Sequence, residues 1–270
     1  MKKAVARGLA KRPPDAFVES IGIDEKSFQK GHQYCTIITD STNKRVLEVV
    51  VDRTKEAAKK AIAQSLTTKQ QQQLKVVTGD MWEAYQNTIK ESLPNATYVL
   101  DRFHLIKYLN AAIDQTRRRE VKENPVHKNA RFALLKNQEN LSEKQRKKFN
   151  LIAQENYLVS KVWKAKEDFK AMFGQPDFAH ASTMLSNWFN SLISYTIKPL
   201  IAVKEMFERH STAIANSLCH PHSNAFAERM NGSIQELKTI AKGFKKVENF
   251  RTAILFHYGK LDLFPPLNFQ

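Results

Sequence analysis

The sequence predicts an α/β protein with a mixed sheet, in the element order β-β-β-α-β-α-β, joined to a long all-helical stretch. Three observations carry this. Three β-patterned runs follow one another with short connections. Two strand-then-helix units come next. From Arg102 to about Ser217 no strand pattern remains, and helical periodicity takes over. A meander with short turns is antiparallel, whereas strands separated by a helix run parallel.

Each element has its own signal. Residues 1–16 read as a charged N-terminal tail, closed by Pro13-Pro14, which stop a helix. The first strand is expected over Phe17–Asp24, the second over Tyr34–Thr39, and the third over Val46–Val51 after a turn at Asp40–Asn43. Thr54 suits the N-cap of a helix reaching about Leu66, with Ala57, Ala58, Ala61 and Ile62 on its apolar stripe. After the run Gln70–Gln73, LKVVTGD is a strand ending at Gly79-Asp80. A helix over Met81–Glu91 stops before Leu93-Pro94-Asn95, and Thr97–Leu100 is the fifth strand, ending at Asp101. These elements make a first core segment over 17–101. A basic helical insertion over 102–217 follows, with Leu185, Trp188, Phe189 and Leu192 at helical spacing. Residues 218–270 then return as a C-terminal helical part. Its main helix starts at His222, after Pro221. Phe226, Met230, Ile234 and Leu237 form the apolar face, Glu228, Asn231, Gln235 and Lys238 the polar one, and Gly243 the stop.

Composition narrows the function classes. The 270 residues are 42% hydrophobic, enough for a packed core, and carry 43 Lys/Arg against 27 Asp/Glu, a formal charge of +16. Residues 102–175 alone hold 17 basic and 8 acidic residues, a net of +9. Such a balance favours a polyanionic partner, nucleic acid first. The two cysteines, Cys35 and Cys219, lie too far apart in sequence for a zinc-module spacing or a disulfide scaffold, which fits a reducing cytoplasm. No apolar run reaches the length of a membrane span.

Three acids close apolar strands: Asp24, Asp80 and Asp101. Singly, Asp80 and Asp101 suit helix N-caps. Together, at the carboxyl ends of neighbouring strands, they converge on one crevice, where crowded carboxylates call for a cation. Oxygen ligands favour Mg²⁺, and two such ions can stabilise both oxygens of a phosphoryl transfer. Glu228, on a polar helix face, is the candidate for a distant further acid. Trp82 and Trp188 are large enough to stack on a flipped base, but core packing accounts for both.

The chain resembles the DDE transposases of bacterial insertion sequences, specifically the ISL3 family. The matching motifs are SIGIDEKSFQKGHQY, VVTGDMWEAY, PNATYVLDRFHLIKYLNAAIDQTRR and HSNAFAERMNGSIQELKTIAKGFKKVENFR, spread over roughly residues 18 to 258. The resemblance implies a ribonuclease H-like catalytic domain with an all-α insertion ahead of the last acid. It implies a metal-dependent polynucleotidyl transferase that cleaves DNA at element ends and then transfers the freed 3′-hydroxyl to target DNA. Residue by residue, Asp24 matches the first acid, Asp80 the second and Glu228 the third, holding two Mg²⁺ ions, with Mn²⁺ as a substitute. Asp101 matches an accessory acid or a helix cap. DNA contacts are expected from Arg102, His104, Lys107, Arg117, Arg118, Arg119, Lys238 and Lys242, with a satisfied helix-start histidine as the alternative for His104. The implied partners are element ends, target DNA and further copies of the chain in a synaptic complex, in a cytoplasmic, nucleoid-associated setting without a membrane. Full-length members carry an N-terminal zinc-binding element and a helix-turn-helix; neither is found here, so the chain reads as the catalytic part of a longer protein or the product of a truncated or split gene. Two alternatives stay open: an inactive remnant that binds DNA as a polycation, and a ribonuclease H-like nuclease.

Overall fold

The computed structural model describes residues 1–29, 33–123, 127–136, 138–153, 157–221 and 225–265. Contacts divide the chain into two compact units: residues 1–101 with 222–270, and residues 102–221.

The first unit is built on one five-stranded sheet. Strands β1 (Ser20–Gln29), β2 (Gln33–Asp40) and β3 (Arg45–Val51) form an antiparallel meander, and β4 (Val76–Gly79) and β5 (Thr97–Leu100) run parallel to β1, in the order β3-β2-β1-β4-β5. The sheet is buried on both faces, which is why its strands read as nearly continuous apolar runs. On one face α2 (Lys55–Ser65) and α4 (Glu83–Ser92) cover Ile21, Ile23, Leu47 and Val77. On the other, α1 (Lys2–Ala10), α12 (Ala225–Ile240) and α13 (Val247–Tyr258) cover Phe28, Cys35, Ile37, Val46 and Val49. Thr54 caps α2, its side chain accepting from the Ala57 amide at 3.1 Å, and the predicted alanine stripe is buried. The glutamine run belongs to α3 (Thr68–Gln73), which Thr67 and Gln70 open with a capping box.

Two expectations need correction here. The segment read as an N-terminal tail contains helix α1. Its charges mask a narrow stripe, Val5 and Gly8, that is buried beside the C-terminal segment; a Cβ on Gly8 would stand 2.7 Å from Leu261 Cβ, so only glycine permits this approach. The first strand does not stop at Asp24 but continues to Gln29, paired with β2 alone. Its polar residues hide an arm held by backbone bonds on one side.

α13 is tied to the sheet by an ion pair in which Arg251 Nε and Nη2 each donate to a carboxylate oxygen of the buried Glu48 at 2.6 Å. α12 ends where Lys242 and Gly243 adopt φ of 52° and 90°, and the Gly243 amide donates back to the Lys238 carbonyl. Residues 222–224, expected to start α12, lie outside the described residues, as do residues 30–32 of the first motif.

The second unit is helical throughout its described residues: α5 (Arg102–Glu120), α6 (Arg131–Leu135), a 3-10 turn (Gln138–Asn140), α7 (Glu143–Ala153), α8 (Leu158–Ala171), α9 (Phe178–Ser191), α10 (Lys198–Arg209) and α11 (Ser211–Cys219). α11 runs two residues past the boundary expected at 217. Phe169, Trp188 and Phe207 form an aromatic cluster, with Trp188 Nε1 donating to the Ala165 carbonyl at 2.9 Å, so Trp188 is a core residue. The Glu120 carboxylate accepts from the Leu158 and Val159 amides, both at 2.8 Å, and so satisfies the first turn of α8. Among the described residues no helix is long and apolar enough to cross a membrane.

Candidate active site

Strand register sets the acids on one level. Gly22 pairs with Thr78, and Thr78 with Val99. Two residues further along each chain stand Asp24, Asp80 and Asp101. Neighbouring strands lie about 4.8 Å apart, so the register lines up three acids across the sheet. Asp24 is interior to β1, but it lies past the last residue that β4 pairs, so it still opens onto the end of the parallel ladder.

Asp24 is half-buried and held at both oxygens. Oδ1 accepts from the Glu25 amide at 2.7 Å, and Oδ2 accepts from Asn231 Nδ2 at 2.5 Å. Alternation along β1 directs Asp24, Lys26 and Phe28 to the face that α12 covers. Lys26 Nζ donates to the Asn231 carbonyl at 3.1 Å, and Lys238 Nζ to the Ser27 carbonyl at 2.9 Å. Burial pulls the Lys26 pKa down, Asp24 opposes this, and Lys238 reinforces it. Gln29 Nε2 donates to the Phe244 carbonyl at 2.9 Å, beyond the end of α12. The helix is therefore docked along β1 by polar bonds as well as by Ile234 in the core.

Asp80 follows β4. Its Oδ1 accepts from the Trp82 amide at 2.9 Å, and its carbonyl from the Tyr98 hydroxyl at 2.9 Å. A Cβ on Gly79 would run into that hydroxyl, so the position requires glycine. The pKa of Tyr98 is raised well above its usual value, by burial first and then by Asp80, Tyr85 and Asp24. Tyr85 is raised too, by burial and by Glu25, Asp80 and Asp24, against the hydrogen bond with Thr36. Asp24 and Asp80 thus each add a smaller upward push on both phenols. Trp82 packs edge-on against Tyr85, with ring centroids 4.6 Å apart. Asp101 is buried, at 4% exposure, and its amide donates to the Gly79 carbonyl at 2.8 Å.

Glu228 is exposed in the first turn of α12, three residues before Asn231, on the helix side that meets β1. Among the described residues no group of three or more His, Cys, Asp or Glu side chains is gathered closely enough to hold a metal ion. The three aspartates follow the parallel ladder, Glu228 lies one helical turn before the Asn231 that binds Asp24, and these acids form no closed cage.

The expected DNA contacts separate into several situations. Arg102 is half-buried inside the second unit, with Nη2 donating to the His220 carbonyl at 2.6 Å and the guanidinium 4.8 Å from the Phe173 ring centroid, and burial lowers its pKa. His104 is half-buried, edge-on to Phe103. Arg117 donates to Asp114 Oδ1 at 2.7 Å and to the His127 carbonyl at 3.3 Å. Arg118 pairs with the same aspartate, while Lys107 and Arg119 are exposed. Lys238 is engaged with β1, and Lys242 is exposed in the left-handed turn. Sequence reasoning listed Asn231 as part of a polar face and missed its contact with Asp24. The signal was its place three residues after Glu228.

A model of a DDE-type transposase family, ISL3, described as "Transposase", matches residues 21–254. The chain is 26% identical over 258 residues to the transposase for insertion sequence element IS1001 of Bordetella parapertussis, covering 93% of this chain and 63% of that protein. It is 25% identical to the transposase for insertion sequence element IS1557 of Mycobacterium tuberculosis, in strains CDC 1551 / Oshkosh and H37Rv, covering 85% of this chain and 58% of those proteins. The chain thus spans about three-fifths of the length of the curated relatives it matches.

Proposed function

Since this chain belongs to the ISL3 family of DDE transposases, we propose that the unit of residues 1–101 and 222–270 is a ribonuclease H-like catalytic core for DNA strand cleavage and strand transfer at insertion-sequence ends, with residues 102–221 as its basic insertion. DDE transposases work with divalent metal ions; here the reading is two Mg²⁺ ions, replaceable by Mn²⁺, on Asp24, Asp80 and Glu228, with Asp101 accessory. In donor chemistry the set suits a hard cation, since all of its atoms are carboxylate oxygens, although the described side chains are not gathered into a three-ligand cage. The open arrangement suits an ion that keeps waters and substrate phosphate oxygens among its ligands.

The observation that carries this reading is the hydrogen bond from Asn231 to Asp24, which joins residues 207 apart in sequence and anchors the helix of the third acid on the strand of the first. Bound ions supply positive charge for the phosphate in flight and ease deprotonation of the attacking hydroxyl. The chain does the rest. Asn231 and the Glu25 amide fix the Asp24 carboxylate. Trp82 and Tyr98 fix the turn at Asp80. Lys26, beside Asp24, adds a desolvated positive charge. Two successive displacements at phosphorus need no Ser, Tyr or Cys nucleophile from the protein. The partners are element ends, target DNA and further copies of the chain in a synaptic complex on the nucleoid.

The test is cleavage of a labelled element-end duplex with Mg²⁺ or Mn²⁺. Asp24→Asn, Asp80→Asn and Glu228→Gln are each expected to abolish cleavage while DNA binding stays near wild type. Undiminished cleavage in any of the three removes that residue from the triad.

A further inference from the structure

A groove of about 370 Å³ between α5 and α6 is lined by Lys107, Asn110, Asp114, Gln115, Arg118 and Arg131. On α5 these residues recur at three- and four-residue spacing, opposite the buried stripe of Leu105, Leu109, Ala112 and Ile113. Asp114, 8% exposed, organises the wall. Its carboxylate meets Arg117 Nη2 at 2.7 Å, Arg118 Nη2 at 2.9 Å and Arg131 Nε at 3.7 Å. Three guanidiniums against one carboxylate leave a charge of +2, and Lys107 brings it to +3. The side chains of Arg118 and Arg131 remain 67% and 53% exposed although the aspartate holds them. They are preorganised cations turned to solvent.

Two further features separate this groove from a merely basic surface. Asn110 Oδ1 is buried in its wall with no hydrogen-bond partner among the described residues. Phe132, 58% exposed, stands next to Arg131, whose guanidinium is 5.8 Å from the phenyl centroid. Phe103, 61% exposed, lies four residues before Lys107 on the same face of α5.

We propose that this groove holds an unpaired stretch of DNA, with its phosphates on Lys107, Arg118 and Arg131 and a base stacked on Phe132. The inference rests on the DNA-processing reading only for the identity of the polyanion. At about 370 Å³ the groove falls in the size range of small-ligand pockets, well short of what a duplex would fill. An aromatic ring can stack only on a base whose face is open, and the exposed Gln115 amide suits a base edge that pairing would cover. Contact with a duplex backbone would use the cations alone and leave the exposed Phe132 ring, next to Arg131 at the groove, unused.

The test is fluorescence anisotropy of the full chain with a short labelled oligothymidine strand and a duplex of matching length, in EDTA, across a salt series. The single strand is expected to bind at least about fivefold more tightly. Phe132→Ala should weaken it roughly tenfold with the salt slope unchanged. Arg131→Ala and Lys107→Gln should each lower the slope of log K against log salt by about 0.7. All three side chains are exposed, and unchanged melting temperatures verify the fold. Equal affinity for strand and duplex, or wild-type affinity in Phe132→Ala together with wild-type slopes in the two charge variants, overturns the proposal. EDTA removes cleavage, so a failed catalytic reading leaves this result intact, and a failed groove leaves the cleavage test standing.

Discussion

Asp24 and Asp114 are both half-buried or buried carboxylates on regular elements, yet their surroundings are opposite. Asp114 is saturated by guanidiniums from its own helix and from α6. Burial alone would raise its pKa, but the hydrogen bonds and charge of Arg117, with Arg118 and Arg131, bring it below the ordinary value. Asp24 accepts from a neutral amide and a backbone N–H, has the single cation Lys26 beside it, and acts with Asp80 on the same tyrosine. A carboxylate neutralised by its own fold serves structure and arranges a wall. A carboxylate held by an amide and a backbone N–H, with one lysine beside it, is oriented without being enclosed by guanidiniums.

The largest expected effect sharpens that contrast. Abolished cleavage in Asp24→Asn should come with a smaller drop in melting temperature than Asp114→Asn gives, because Asp24 has one lysine beside it where Asp114 holds three guanidiniums. A drop in melting temperature as large as that of Asp114→Asn would break the comparison. Next in size, Arg251→Ala leaves the buried Glu48 without its bidentate partner and should cost about 3 kcal/mol or more in denaturant unfolding. It tests whether guanidinium-saturated acids are indeed the structural class.

Asn231→Ala should weaken the metal dependence of cleavage about 10- to 100-fold, raising the Mg²⁺ concentration needed for half-maximal rate, with little change in stability. If stability falls and the metal response does not move, Asn231 merely glues α12 to β1. The smallest effect concerns pH. The folded pKa of Asp114 is depressed, so its ionised form stabilises the fold above its unfolded pKa of about 4, and that contribution fades as pH falls through the lower folded value. Melting temperatures of wild type and Asp114→Asn should therefore differ near neutral pH and converge below about pH 4. A constant gap would mean that the arginine cluster does not depend on the charge.

Much of this was legible in the sequence because it is local. Alternating and continuous apolar runs gave five strands, Thr54 announced α2, and the periodicity of Leu185, Trp188 and Phe189 gave a helix that is buried through those residues. The acids after β4 and β5 could be singled out because they end apolar runs. The second half of β1 could not, since Glu25, Lys26, Ser27 and Gln29 resemble a loop until β2 pairs with them. Helix α1 was concealed for the same reason, with charge around a thin buried stripe.

The sequence by itself determined which segments alternate and which wind, and how much positive charge the helical stretch carries, because backbone periodicity and composition are properties of neighbours. Only tertiary structure decided that Asn231 binds Asp24, that Arg117 turns inward onto Asp114 while Arg118 and Arg131 remain in water, and that Lys238 holds a strand. Those contacts depend on which charges burial leaves without solvent, and a carboxylate or guanidinium meets that loss with whatever partner the fold brings within about 3 Å.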